Sequence, residues 1–106
     1  MRFGLQQQTI ASIQAVLARH PAVEKALLYG SRAKGTYKPG SDIDLCLEGA
    51  ALGPQELARI DDELDDLLLP YQIDLSLLAD IDHPALREHI ARVGVVFYER
   101  KQSAPD

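Results

Sequence analysis

The sequence predicts a mixed α/β domain in which helices pack against a small sheet. Short runs with strand character alternate with segments of helical periodicity. Glycine or proline punctuates most junctions, and 106 residues suffice for one modest core but not for a second domain.

The elements follow in order. Between Thr9 and Arg19, the residues Ile10, Ile13, Val16 and Leu17 recur at helical spacing, and Pro21 biases His20 out of the helical region. Val23 to Tyr29 then reads as a buried strand ending at Gly30, and Ser31 to Lys34 as a short helix stopped by Gly35. Thr36 to Gly40 is a loop. Asp42 to Glu48 alternates polar and apolar residues at first and forms the second strand. Gly53 and Pro54 open a helix in which Leu57, Ile60, Leu64, Leu67 and Leu68 share one face. A third strand spans Gln72 to Leu78. Asp82 or His83 caps a last helix carrying Leu86, Ile90 and Val93, which Gly94 ends before a strand at Val95 to Tyr98. Residues 1–98 are thus expected to form one domain and 99–106 a flexible tail. Sheet order is not readable from the pattern.

Composition narrows the function classes. The apolar fraction is 46% with 25% charged residues, as in ordinary soluble proteins, and no apolar stretch approaches the roughly 20 residues of a membrane span. The Gln6 to Gln8 run also lacks the apolar core of a secretory signal, so a cytoplasmic location is expected. Cys46 is the sole cysteine, which excludes an internal disulfide or a multi-cysteine zinc site and reads as a small buried hydrophobe. A net charge of −5 argues against binding duplex nucleic acid through its phosphates. Glu56, Asp61, Asp62, Glu63, Asp65 and Asp66 concentrate much of that charge, most simply on a solvated helix face.

The chemistry lies in the strands. Residues two apart in a strand project from one face, so Asp42 and Asp44 point one way and Ile43 and Leu45 the other. In the third strand Ile73, Leu75 and Leu77 are apolar, which puts Asp74 on the opposite side. If the two strands are neighbours, three carboxylates converge and repel unless cations intervene. Oxygen-only ligands favour Mg²⁺ or Mn²⁺, and a pair of such ions can clamp the attacking and leaving oxygens of a phosphoryl transfer. Upstream, Gly30 and Ser31 sit where a strand passes into a helix, a place suited to receiving an anion. Ser31 could equally be a plain helix cap. Arg32, Lys34 and Lys38 surround the same turn and either screen phosphate charge or are simply exposed cations.

Together these parts read Gly30-Ser31-Arg32-Ala33-Lys34-Gly35, five intervening residues, then Ser41-Asp42-Ile43-Asp44-Leu45, with Asp74 on a later strand. The array resembles the nucleotidyltransferase superfamily of DNA polymerase beta, and its wording and size look most like the minimal nucleotidyltransferases, the MNT proteins. The resemblance covers Val23 to Leu78. It implies a polymerase beta-like fold, two metal ions on Asp42, Asp44 and Asp74, and Gly30, Ser31, Arg32 and Lys34 around the triphosphate of ATP. Asp74 would stand next to the attacking hydroxyl. The resemblance further implies an antitoxin that transfers AMP to a tyrosine of a HEPN-domain toxin.

Two alternatives remain open on the residues alone: a binding module that occludes the partner without catalysis, and transfer to a small molecule of the aminoglycoside type. An EF-hand is excluded because Leu45, Cys46 and Leu47 follow Asp44. His20, His83 and His89 are scattered and expected to be structural or exposed. Tyr29 is expected beneath the Gly30 turn, and Tyr37 to make no ligand contact.

Overall fold

The computed structural model describes residues 2–100. Its strands are β1 (Lys25–Tyr29), β2 (Ile43–Glu48), β3 (Ile73–Leu77) and β4 (Val95–Glu99). Its α-helices are α1 (Gln7–Ala18), α2 (Ser31–Lys34), α3 (Pro54–Asp65) and α4 (Pro84–Val93), with a 3₁₀ turn at Leu78–Asp80. The expected alternation of helix and strand holds throughout.

The sheet order is β3-β2-β1-β4. β1 pairs antiparallel with both β2 and β4, whereas β2 and β3 run parallel. A parallel pair needs a crossover, and α3 supplies it. Each face of the sheet is covered by helix. On one, Ala26, Leu28, Ile43, Leu45, Leu47, Leu77 and Phe97 pack with Ile10, Ile13, Val16 and Leu17 of α1 and Ile60 and Leu64 of α3. On the other, Tyr29 and Cys46 pack against Ile90 of α4, with Leu27, Leu78, Ile81 and Leu86 around them. The period-two pattern of β2 therefore divides Ile43, Leu45 and Leu47 from Asp44 and Cys46, as strand geometry requires.

Two boundaries bear on the sequence expectation. α3 ends at Asp65, so Leu67 and Leu68 do not extend its apolar face. Leu67 still packs against the core, but Leu68 adopts a positive φ of 54° and is 88% exposed. Glu99 and Arg100 also belong to the ordered domain rather than to a tail. The Arg100 backbone N–H donates to the Glu24 carbonyl, and its guanidinium donates to the carbonyls of Ala18, His20 and Val23. Only 101–106 of the expected tail lie outside the described residues.

His20 is buried and ties α1 to α3, with Nε2 2.7 Å from Glu63 Oε2. His83 is the N-cap of α4, its Nδ1 accepting from the Leu86 N–H. Both are structural, as expected. No helix among the described residues is long and apolar enough to cross a membrane.

Candidate active site

Parallel pairing of β2 with β3 brings Asp44 and Asp74 together as Cα partners. Tyr29 of β1 is in turn the antiparallel partner of Asp44. Tyr29, Asp44 and Asp74 thus form a row across three strands, on the sheet face that α4 partly covers. Asp42 precedes β2 by one residue and is exposed. Alternation along the chain places it on the side of Asp44.

The electrostatics agree with this placement. The Asp44 carboxyl is held above its ordinary pKa, first by burial, then by the charges of Asp74 and Asp42, with His89 opposing. Tyr29 is also raised, chiefly by burial; the nearby Ser76 hydroxyl partly offsets this, while Asp74 and Asp44 add to it. Ser76 Oγ is itself buried without a hydrogen-bond partner. Cys46, one step further along β2, is pushed up to about 11 by burial and by Glu48. A buried thiol of this kind is inert, as its reading as a small hydrophobe requires.

The turn between β1 and α2 stands over the same carboxylates. Gly30 is the N-cap of α2, with φ 76° and ψ −155°, a conformation essentially restricted to glycine. A Cβ at Gly30 would overlap Asp44 Oδ2, so the bare backbone is what lets turn and carboxylate approach. Ser31 is the first helical residue, not the cap. The Gly30 N–H already donates to His89 Nε2 at 3.1 Å. The helix-terminal N–H groups therefore begin with Ser31.

The cations around this turn are not equivalent. Lys34 is exposed on α2, and Lys38 is exposed in the following loop. Arg32, in contrast, is not brought to the carboxylates. It is 3% exposed; Nε and Nη2 donate to the Ser41 carbonyl, and Nη1 donates to the Phe3 carbonyl. Its guanidinium carbon lies 5.2 Å from the centre of the Tyr37 ring and 4.9 Å from that of Tyr71. Its guanidinium donors are thus engaged by carbonyls rather than turned toward the carboxylates. Its work is to fasten α2 to the segment that carries Asp42. Tyr37 likewise has a packing role, since its ring would meet any side chain placed at Gly4.

Sequence reasoning set His89 aside, yet it touches the Gly30 turn directly. The signal was its position on α4, where Leu86, His89, Ile90 and Val93 follow the i, i+3, i+4, i+7 spacing of a buried stripe.

A surface groove of about 390 Å³ runs beside Asp74 along the open edge of β3, bordered by Leu57, Ala58 and Asp61 of α3 and by Asp80. Asp61 is raised by burial and then by Asp65, Asp62 and Asp74. A larger cavity of about 420 Å³ lies at the other end of β1 and β2, among Glu24, Lys25, Glu48, Glu99 and Arg100, away from the aspartates.

A carboxylate-only donor set suits a hard divalent cation. Among the described residues no three acidic, histidine or cysteine side chains already converge as a closed metal site. Asp42, Asp44 and Asp74 are the residues that would hold such an ion.

Residues 11–103 match the family model described as polymerase beta, nucleotidyltransferase. The chain belongs to the polymerase beta nucleotidyltransferase family. Solved structures agree on the fold. A chain from a crystal structure of a toxin-antitoxin with AMP-PNP is 22% identical, with a TM-score of 0.67, over 92% of this nucleotidyltransferase chain and 77% of its own length. A chain from the toxin-antitoxin MntA-HepT is 21% identical with a TM-score of 0.66, covering 90% of this chain and 74% of that one. A chain from the tri-AMPylated Shewanella oneidensis HEPN toxin in complex with MNT antitoxin is 20% identical with a TM-score of 0.66, covering 91% and 74%. No curated protein matches the chain.

Proposed function

We propose that this nucleotidyltransferase transfers AMP from ATP to a tyrosine hydroxyl of a HEPN-domain toxin and thereby acts as its antitoxin. The observation that carries the reading is the pairing of Asp44 with Asp74 beneath the Gly30–Ser31 turn. A purely structural sheet face gains nothing from two adjacent carboxylates that repel each other. Family membership supplies the reaction class, and the AMPylated toxin in a complex of the same fold supports the acceptor.

In this reading Asp42, Asp44 and Asp74 hold two Mg²⁺ ions, for which Mn²⁺ could substitute. When bound, the ions neutralise the charge of the triphosphate and of the oxygens around the phosphorus under attack. Asp74 faces the acceptor, orients its hydroxyl and takes up its proton. The acceptor oxygen forms a bond to the α-phosphorus, the bond from that phosphorus to the bridging oxygen breaks, and pyrophosphate leaves. Gly30 keeps the turn close to Asp44, while Ser31 and Lys34 face the phosphates. Arg32 supports the reaction from below, by fixing the backbone next to Asp42.

Occlusion of the toxin without chemistry is the competing account. Co-expression with the partner toxin separates the two. The Asp42→Ala, Asp44→Ala double variant is expected to retain complex formation on pull-down but to lose neutralisation of toxicity. Full neutralisation by that variant would leave occlusion as the mechanism. Transfer to an aminoglycoside is tested by drug tolerance of expressing cells, which is expected to stay unchanged.

A further inference from the structure

His89 lies on α4, outside the aspartate row, and touches the Gly30 turn directly. Its ring sits on the sheet-facing stripe of α4 and is half-buried, while neighbouring Leu86 and Ile90 pack with Tyr29 and Cys46. It meets Tyr29 edge-on, with centroids 6.2 Å apart and planes at 80°. Nε2 accepts the Gly30 N–H at 3.1 Å, so in the neutral ring the proton is on Nδ1.

Gly30 holds a backbone conformation that its own side chain does nothing to enforce, because it has none. The flanking peptide must be fixed from outside. Its N–H lies at the end of β1, beyond the last β1–β2 register pair of Tyr29 with Asp44. An acceptor on α4 is what orients it.

We infer that His89 is a positioning residue for nucleotide binding, holding the Gly30 peptide so that the turn presents the Ser31 side of α2 to the triphosphate above Asp44. The inference rests on the proposed nucleotidyl transfer and adds a residue from an element outside the motif. A ring nitrogen that accepts from a main-chain amide fixes geometry through a single bond. Glutamine, whose side-chain carbonyl can also accept, should replace it in part, whereas alanine cannot.

Two measurements on the whole protein test this. In wild-type protein labelled with ¹⁵N, a scalar coupling between Gly30 N and His89 Nε2 is expected across the hydrogen bond, and its absence overturns the inference. Titration with Mg²⁺ and an ATP analogue carrying a methylene bridge between the α- and β-phosphates then reads the consequence. His89→Ala should weaken binding by about tenfold, the loss of roughly one hydrogen bond, and His89→Gln should recover most of it. Amide exchange in the core of β1 and β2 should not change in either variant, which separates positioning from general destabilisation. Equal affinity of wild type and His89→Ala for the analogue overturns the inference and leaves the transfer reading standing. Failure of the wild type to bind any analogue overturns both.

Discussion

Asp44 and Asp74 are direct Cα partners across the parallel pairing of β2 and β3, and the Asp44 carboxyl lies in the field of Asp74. The pair fixes a sign for the dependence of stability on pH. Because the Asp44 carboxyl is raised, mainly by burial and then by Asp74 and Asp42, the folded protein binds a proton at a pH where the unfolded chain has lost it. The penalty of ionising Asp44 is absent below the ordinary carboxyl range and complete once the pH exceeds the raised folded value. Asp44→Asn should therefore melt a few degrees above the wild type at neutral pH without divalent ions. That advantage should vanish in acid, and an advantage that persists in acid would contradict the account.

Divalent ions should reverse the order. If the aspartates bind Mg²⁺, the wild type gains about 2.7 kcal/mol when Mg²⁺ is at about 100 times its dissociation constant. Thermal melts with and without the ion check this. Asp44→Asn should respond little, and an equal shift in both proteins would place the ion elsewhere.

Gly30→Ala tests the close approach of turn and carboxylate. The left-handed, extended conformation of Gly30 would cost an alanine about 1–3 kcal/mol, before any displacement of Asp44 Oδ2 by the new methyl group. Urea denaturation should report at least that loss. A variant as stable as wild type would mean that the turn relaxes freely.

Arg32→Met should cost about 2–4 kcal/mol in denaturant unfolding, since it strips the Ser41 and Phe3 carbonyls of charged donors and the rings of Tyr37 and Tyr71 of their cation. A residue that merely screened phosphate at the surface would lower nucleotide affinity and leave stability alone. Arg32→Lys should be intermediate, because an ammonium cannot reproduce the fork.

The aspartates were legible because a period of two is a local property. Asp44 and Asp74 each sit between apolar residues, and Asp42 lies two positions before Asp44, which assigns the face of all three. Which strands are neighbours is not local; the parallel pairing in register appears only with α3 folded across. The burial of Arg32 was not legible for a related reason. Its acceptor Phe3 and its ring partner Tyr71 come from distant segments, so nothing beside it in sequence announces a buried guanidinium. Arg100 repeats the case: by pattern it belonged to a tail, yet carbonyls from Ala18 to Val23 hold it. Leu68 failed in the other direction. It continued the helical spacing of Leu57, Ile60 and Leu64, but α3 had already ended at Asp65.

The most direct test is transfer itself. Purified protein is incubated with Mg²⁺, α-labelled ATP and the HEPN-domain partner, and the labelled protein is mapped by mass spectrometry. The account predicts AMP on a partner tyrosine, abolished by Asp44→Ala and by Asp74→Ala. A stable complex that carries no label with the wild-type protein, or label that persists in both variants, would contradict it.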